Sequence, residues 1–301
     1  MEKMVITGVN GLLGQKLLER SFQKYEVMGI DLHEAPFQTK IKFHYRQLDL
    51  TKRRLVKQAL NEFQPHYLIN TAAMTGVDGC ETNKEQCWKI NVEAVDHIIQ
   101  AVRRLGTKIV HLSTDYVFNG TSGPYVETDT PEPLGYYGKS KLASENLLIA
   151  SGLEHAIVRT MVLYGQGIDT RPNFVNWLIE KLNQGQAVKV VTDQFSNPTL
   201  ADELADAILT IIDRRKWDLF HISGSELIDR YHFALKIAEV FNLNKDLIQP
   251  VTTAELHQPA LRPLKSGFIL TKAQTELGIQ MSDVITGLKK MKKSPKKFLL
   301  F

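Results

Sequence analysis

The chain has 301 residues, 43% hydrophobic and 23% charged, which is the composition of a globular protein with one large domain or two modest ones. No apolar run reaches the roughly 18 residues that predict a membrane helix, and the start, MEKMVITG, does not resemble a signal peptide. The net charge of +4 includes six lysines within Lys289–Lys297, without which it would be 4 − 6 = −2. We interpret this excess as a solvated tail and expect neither a nucleic-acid nor a membrane partner.

Cysteine usage points to the compartment. Only Cys80 and Cys87 occur, and we interpret both as buried structural thiols. So few cysteines argue against a disulfide scaffold and for a reducing compartment, so we expect a cytoplasmic protein.

Strand and helix patterns alternate along the first half of the chain. The predicted strands are KMVIT, YEVMGI, FHYRQLDL, YLINTAA, KIVHLS and HAIVRTMVLYG. Between them, apolar residues recur at helical spacing, and we expect Thr51 to cap the second helix. A long helix that ends near Gly106 carries Trp88 on its apolar face, where we expect it in the core. The alternation predicts an α/β fold, a Rossmann-type doubly wound parallel sheet.

The second half is less regular. FVNWLIEKL, ELADAILTIID and YHFALKIAEVF predict amphipathic helices, with short strands at AVKVV and LFHIS. We therefore predict a dinucleotide-binding domain at residues 1–167 and a smaller α/β, mainly substrate-binding domain at 168–301. The absence of a Gly/Ser linker leaves open that the two are interleaved.

A glycine turn follows the first predicted strand. Gly8, Gly11 and Gly14 are spaced three apart in TGVNGLLGQKL and lead into a helix. Residues without a Cβ atom let a pyrophosphate approach the backbone, and the helix N-terminus supplies free N–H groups. This segment predicts a dinucleotide site.

Two aspartates at strand ends are candidate cofactor contacts. Asp31 ends the second strand, where a carboxylate accepts hydrogen bonds from an adenosine ribose and repels a 2′-phosphate. We therefore expect NAD(P)H, with NADH favoured over NADPH. The alternative is that Asp31 only caps a turn. Asp49 is a candidate for the adenine edge, with a helix N-cap neighbour as the alternative.

Three further segments, NTAAMT, LSTDYVFNG and RTMVLYG, follow strands of the predicted sheet and should meet at its ligand-binding edge. They bring Thr114 towards a helix that begins near YYGKSKLASE. On that helix Tyr137 and Lys141 are four residues apart and share one face. A phenol beside an ammonium is expected to have a lowered pKa, which suits proton transfer.

The order of these motifs resembles the extended short-chain dehydrogenase/reductases, and within them the dTDP-4-dehydrorhamnose reductase family. The resemblance extends over nearly the whole chain. It is carried by GVNGLLG, INTAAMTGVDGCE, LSTDYVFNG, GPYVETDTPEPLGYYGKSKLASE, RTMVLYG, NFVNWL, VVTDQFSNPT and RPLKS. This sequence departs from the family at Ser144, where glycine is usual, and at Gly76 and Gly79, where alanine and lysine are frequent.

The resemblance implies catalytic Thr114, Tyr137 and Lys141, and hydride transfer from NAD(P)H to a 4-keto-6-deoxy sugar nucleotide in deoxysugar biosynthesis. We expect these cofactor-binding residues: Gly8, Asn10, Gly11, Leu12, Leu13, Gly14, Asp31, Asp49, Leu50, Ala72, Ala73, Asn91, Tyr137 and Lys141. We expect these substrate-binding residues: Thr75, Thr114, Asp115, Tyr116, Asn173, Pro198, Thr199 and Arg262. For Arg262 the expected ligand is the diphosphate. The oligomeric state is left open, with a homodimer among the options.

Other functions are less well supported by the sequence. The scattered histidines and the lack of a Cys-x-x-Cys motif predict no metal site. A sugar-nucleotide epimerase or 4,6-dehydratase is one alternative, although Thr114 is followed by Asp115 and Tyr116, and not by the Asp-Glu of dehydratases. A second alternative is a non-catalytic NAD(P)-binding protein that resembles the regulatory β subunit of methionine adenosyltransferase.

Overall fold

The centre of the molecule is a parallel sheet of seven strands in a computed structural model, which describes residues 1–294. Its order is β3-β2-β1-β4-β5-β6-β11. The strands of the chain are β1 (Lys3–Thr7), β2 (Glu26–Asp31), β3 (His44–Gln47), β4 (Tyr67–Asn70), β5 (Lys108–Thr114), β6 (His155–Thr160), β7 (Leu163–Tyr164), β8 (Val188–Val191), β9 (Phe195–Ser196), β10 (Thr199–Leu200), β11 (Leu219–His221), β12 (Ile228–Asp229) and β13 (Ile248–Val251). The predicted α/β Rossmann-type sheet is confirmed.

Helices cover both faces of the sheet, which explains its apolar strands. They are α1 (Leu12–Ser21), α2 (Arg53–Phe63), α3 (Val77–Thr82), α4 (Lys84–Trp88), α5 (Ala94–Val102), α6 (Tyr136–Ala150), α7 (Phe174–Asn183), α8 (Ala201–Asp213), α9 (Arg230–Phe241), α10 (Thr271–Leu277) and α11 (Val284–Lys293). Successive residues of a strand point to opposite faces. Met4 and Ile6 therefore pack in the core formed with α1 and α8, whereas Val5 packs in the core formed with α2 and α5. No helix within residues 1–294 has the length and apolarity to cross a bilayer.

Elements from the second half of the chain contribute to both parts of the molecule. The last strand of the large sheet, β11, pairs with β6, and α8 packs against α1. A separate hydrophobic cluster joins α7, α9 and α11 around Leu178, Phe233 and Leu288. Three two-stranded sheets, β7–β10, β9–β12 and β8–β13, accompany it. The division at residue 167 stays a prediction, and it would leave β11 beyond the boundary.

Two expectations need correction. The lysine run is not simply a tail, because Lys290 and Lys292 lie on α11, where Lys290 pairs with Glu203 at 2.7 Å. Lys296 and Lys297 lie outside the described residues. The predicted long helix is interrupted by a π-helical turn at Lys89–Glu93, and Trp88 beside it is 38% exposed and outside the core.

Candidate active site

The glycine turn after β1 has the backbone shape that its sequence predicts. Gly8 has φ +67°, a conformation that favours glycine, and its N–H donates to the Ile30 carbonyl at 2.8 Å. A Cβ atom on Gly14 would lie 2.3 Å from the Gly8 oxygen, so glycine is required where α1 crosses the turn. Gly11 is the N-cap of α1 and has no side chain to accept the first N–H groups, which include those of Leu12 and Leu13. These donors suit an anionic ligand.

Asp31 organises the loop beside this turn. Its carboxylate accepts hydrogen bonds from the backbone N–H groups of Asn10 at 3.0 Å and Leu32 at 2.8 Å, and the His33 ring contacts it at 2.6 Å. The Asn10 side chain holds the same loop, since it donates to the Ala35 carbonyl at 3.0 Å. Asp31 therefore does cap a turn in the structure. Its carboxylate is held in place by these contacts before any ribose binds.

Asp49 also forms a local turn. Its Oδ1 accepts from the backbone N–H of Thr51 at 2.9 Å and from the Thr51 hydroxyl at 2.7 Å. The expected capping role of Thr51 is not observed, because the N-cap of α2 is Lys52 and the Thr51 hydroxyl is directed to Asp49. Leu50 packs against the α2–α5 core, and its carbonyl contacts the His97 ring at 3.0 Å.

The loop after β4 is fastened by Asn91 from the π-helical turn. The Asn91 amide accepts from the Met74 N–H at 2.8 Å and donates to the Met74 carbonyl at 3.1 Å. It also donates to the Ser140 hydroxyl of α6 at 3.0 Å. Within this loop Ala72 and Ala73 are half-buried, and Thr75 is exposed. Ala72 lies directly against the glycine turn, because a Cβ atom on Gly8 would be 3.1 Å from its backbone.

The predicted catalytic residues converge where β5 ends and α6 begins. Thr114 is the last residue of β5, and Tyr137 lies in the first turn of α6, with Lys141 one turn later. All three side chains are buried. Gly138 makes this approach possible, because a Cβ atom there would lie 2.0 Å from the Tyr116 carbonyl oxygen. The Tyr116 and Tyr137 rings meet edge to face with centroids 5.6 Å apart.

The protonation of this group differs from the expectation. Burial raises the pKa of Tyr137, and the Thr114 hydroxyl acts in the opposite direction. Burial also lowers the pKa of Lys141 to about 8, against the charges of Glu145 and Cys87. The expected lowering of the Tyr137 pKa is not found, because burial raises it and Lys141 is not among the groups that shift it. The Lys141 Nζ instead contacts the His111 Nε2 at 3.1 Å. A phenol that keeps its proton at neutral pH can act as an acid.

Asp115 lies beside the predicted catalytic residues and is held by two hydroxyls. Ser266 donates to its Oδ2 at 2.6 Å, and Thr114 donates to its Oδ1 at 3.1 Å. Burial raises the pKa of Asp115 to about 6, although both hydrogen bonds lower it. Asp115 therefore fixes the orientation of the Thr114 hydroxyl, whose oxygen also accepts from the Tyr116 N–H at 3.2 Å.

The predicted substrate-side residues have different environments. Asn173 caps α7 and donates to the Gly165 carbonyl at 2.9 Å. Thr199, beside Pro198, is fully buried, and its hydroxyl donates to the Met161 carbonyl at 2.7 Å, so it supports the loop and does not line a surface. Arg262 forms two hydrogen bonds to the Asp78 carboxylate, at 2.9 and 2.8 Å.

Sequence reasoning missed several polar residues that support this site. His111 contacts Lys141, and its ring also contacts the Ser144 hydroxyl at 3.0 Å and the Asn70 amide at 3.0 Å. Ser266 was missed because 151 residues separate it from Asp115. A signal for His111 was present, since a histidine in the apolar strand KIVHLS needs a buried polar partner. The Ser144 departure from the family pattern supplies one such partner.

The arrangement fits a nicotinamide dinucleotide. The glycine turn presents uncapped N–H groups at the start of α1, and the Ser113 hydroxyl is buried at the end of β5 without a hydrogen-bond partner within residues 1–294. An orphaned buried hydroxyl at the ligand-binding edge of a parallel sheet is a group that a bound ligand would satisfy. In the described part of the chain, no cluster of three or more His, Cys, Asp or Glu side chains could hold a metal ion.

The fold and the strand-end site define a nucleotide-binding α/β protein of the Rossmann class. Residues 1–296 match the family model described as RmlD substrate binding domain, and the chain belongs to this family. This confirms the predicted resemblance.

Similar proteins share nearly the full length of the chain. The dTDP-4-dehydrorhamnose reductase of Aggregatibacter actinomycetemcomitans is 33% identical over 306 residues, covering 97% of this chain and 99% of that protein. The crystal structure of dTDP-4-dehydrorhamnose reductase from Bacillus anthracis in complex with NADP is 30% identical, with a TM-score of 0.89 and coverage of 98% and 99%. The methionine adenosyltransferase 2 subunit beta of Mus musculus is 30% identical over 308 residues, covering 95% of this chain and 86% of that protein.

Proposed function

We propose that this protein is an NAD(P)H-dependent reductase that converts the 4-keto group of a 6-deoxy sugar nucleotide to an alcohol. The observation that carries the proposal is the convergence of Thr114, Tyr137 and Lys141 in one buried group at the end of β5. The dTDP-4-dehydrorhamnose reductases among its relatives support the substrate class.

The chain's own groups can perform the proton chemistry. The bound nicotinamide would supply the hydride to the carbonyl carbon. The Thr114 hydroxyl donates its single proton to Asp115 in this structure and would turn that proton to the carbonyl oxygen when substrate binds. Tyr137 would transfer its proton to the same oxygen as negative charge develops. Lys141 in its ammonium form would stabilise the resulting phenolate. Hydride and proton together reduce the ketone to the alcohol.

We propose that NADH is favoured over NADPH, because the Asp31 carboxylate would repel a 2′-phosphate. The glycine turn and Asn91 would hold the cofactor side of the site, and Asn173 and Arg262 the substrate side. We also propose a cytoplasmic location, since Cys80 and Cys87 are free thiols in a buried cluster with Tyr137. A homodimer is the assembly to test by light scattering.

The test of the proposal is turnover, followed by NADH and NADPH absorbance with dTDP-, GDP- and UDP-4-keto-6-deoxyhexoses. Tyr137→Phe removes one oxygen and keeps the ring, so we expect folding and cofactor affinity to survive. We expect kcat to fall by about 10²- to 10⁴-fold, the usual contribution of a positioned proton donor.

Tyr136→Phe is the matched control. The Tyr136 ring lies beside the Trp88 ring, with centroids 6.4 Å apart. Its kcat should stay at the wild-type value. Wild-type kcat in Tyr137→Phe, or loss in Tyr136→Phe, would contradict the assignment. The rival function is a regulatory subunit like the similar methionine adenosyltransferase 2 subunit beta. Cofactor binding without turnover of any substrate in the panel, together with co-purification of a synthetase, would favour that rival.

A further inference from the structure

Arg230 carries a charge that no acid offsets directly. It is the first residue of α9, is half-buried, and its backbone N–H donates to the Gln194 carbonyl at 3.0 Å. Its guanidinium carbon lies 4.9 Å from the centroid of the Phe174 ring, a cation–π contact. Among residues 1–294 no carboxylate comes within 4.0 Å of this guanidinium, whereas Arg262 has Asp78 at 2.8 Å.

The two arginines therefore differ in how much charge they can offer to a ligand. Burial acts to raise the pKa of Asp78, but hydrogen bonds from Arg262 and from the Ala260 N–H hold it below its usual value. The Arg262 charge is thus matched by an ionised partner, and the same guanidinium also donates to the Ala260 carbonyl at 2.8 Å. An anion that binds Arg262 must compete with this carboxylate, and one that binds Arg230 need not.

Arg230 also lies near the predicted substrate-binding residues. Phe174, over which it stacks, follows Asn173 at the start of α7. The residue before Arg230, Asp229, pairs with Phe195 in the β9–β12 ladder. The Phe195 carbonyl lies 3.4 Å from the Ser266 hydroxyl, which donates to Asp115 directly after the end of β5. The guanidinium is therefore placed between the predicted substrate-side helix and the turn that follows Thr114.

The environment of Arg230 is unfavourable for an unused cation. Burial lowers its pKa, and Tyr116 and Asp115 act in the opposite direction. Taking a charge out of water without a hydrogen-bonded partner costs free energy. Asp115 does not serve as that partner, because no hydrogen bond or ion pair joins it to Arg230, and its oxygens accept from Ser266 and Thr114. The unused donors of a planar guanidinium match the oxygens of a phosphate.

We propose that Arg230 binds the diphosphate of the nucleotide-sugar substrate and contributes more to its affinity than Arg262 does. The choice of ligand rests on the proposed function, whereas the availability of the cation rests on the geometry around Arg230.

The experiment measures binding separately from turnover. Isothermal titration calorimetry of the full chain saturated with NADH uses three probes, dTDP, UDP and thymidine. We expect Arg230→Met, which keeps an unbranched apolar stem, to weaken binding of the nucleoside diphosphate by about 10- to 100-fold, because a charged hydrogen-bonding partner is lost. Arg230→Lys should recover part of that affinity. Arg262→Met should lose less affinity for the nucleoside diphosphate than Arg230→Met does.

Controls separate a ligand contact from a structural role. Arg103→Met changes an exposed arginine after the end of α5 and should leave every affinity unchanged. Thymidine lacks phosphates, so Arg230→Met should not alter its affinity, and NADH affinity should also stay at the wild-type value. The proposal would be overturned if Arg230→Met lost affinity equally for thymidine and dTDP. It would also be overturned if the variant lost affinity for both NADH and dTDP and had a lowered Tm, because Arg230 would then serve packing.

The two proposals fail in different ways. If the wild type turns over a 4-keto sugar nucleotide and Arg230→Met has the same KM for it, the diphosphate assignment is overturned and the proposed reductase function stands. Binding of dTDP or UDP that depends on Arg230, without turnover of any 4-keto sugar, supports the assignment and overturns the reductase. A wild-type protein that binds neither nucleotide overturns the assignment.

Discussion

A buried ion pair holds α6, the helix that carries the proposed catalytic residue Tyr137, and breaking this pair should destabilise the protein. Glu145 on α6 accepts hydrogen bonds from Arg159 on β6, from Nε at 3.0 Å and from Nη2 at 2.7 Å. The two side chains are 1% and 4% exposed. Arg159→Met keeps an apolar stem but leaves the Glu145 carboxylate buried without its partner. We expect destabilisation by about 3–5 kcal/mol, the usual effect of breaking a buried pair.

The assay is thermal unfolding by differential scanning calorimetry. Because about 1 kcal/mol shifts Tm by roughly 2–4 °C in a chain of this order of size, Tm should fall by roughly 6–20 °C. Replacing both partners, in Arg159→Met with Glu145→Leu, should recover most of the loss, since an apolar pair of similar volume is often neutral or better. Lys89→Met breaks the exposed Lys89–Glu85 pair and should leave Tm close to the wild-type value.

The reasoning would be refuted if Arg159→Met unfolded at the same temperature as Lys89→Met. It would also be refuted if the double variant were no more stable than Arg159→Met, because the loss would then not come from the uncompensated carboxylate. Arg159 also contacts the Phe118 ring, with 5.2 Å between the guanidinium carbon and the centroid. It also contacts the His221 Nε2 at 3.4 Å. The part of the loss that the double variant does not recover includes both contacts.

Two further predictions concern the proposed reaction. With a Lys141 pKa of about 8, the ammonium form is present below that pH and is lost above it, so kcat should decline as pH rises through about 8. Lys141→Arg should move this decline to higher pH, Cys87→Ala should not, and a wild-type decline that begins only near pH 10 would contradict the assignment. Asp31→Ala should weaken NADH binding by about 10- to 100-fold and narrow any preference over NADPH, whereas Glu34→Ala in the same loop should not. Titration of both cofactors decides this, and unchanged affinities would remove Asp31 from the site.

The large sheet was predictable because each central strand is a short apolar run that must be covered on both sides. β1, β4 and β6 fall within the predicted segments, and β2 and β5 each extend one residue beyond theirs, to Asp31 and Thr114. The glycine turn was predictable because a tight turn between a strand and a helix requires residues without a Cβ atom, here Gly8 and Gly14. In both cases the signal lies within a few consecutive residues.

Features that depend on distant partners were not predictable. The segment LFHIS reads as an isolated short strand, and only its pairing with β6 makes it the edge of the large sheet. The π-helical turn at Lys89–Glu93 is missed because apolar periodicity tolerates one extra residue in a turn. That turn carries Asn91, which fastens the loop after β4 to α6. The cofactor-side contribution of Asn91 was implied by resemblance, but its supporting geometry was not.

The arginines show most clearly where sequence reasoning ends. Arg262 stands out in the sequence because it lies beside Pro263 in a motif of the family, and Arg230 stands out in no motif. What a cation can do for a ligand depends on which acid it already contacts, and a carboxylate 184 residues away engages Arg262. Residue type and motif therefore identify candidate charges. Only the folded contacts distinguish a charge that is already neutralised from one still available to an anion.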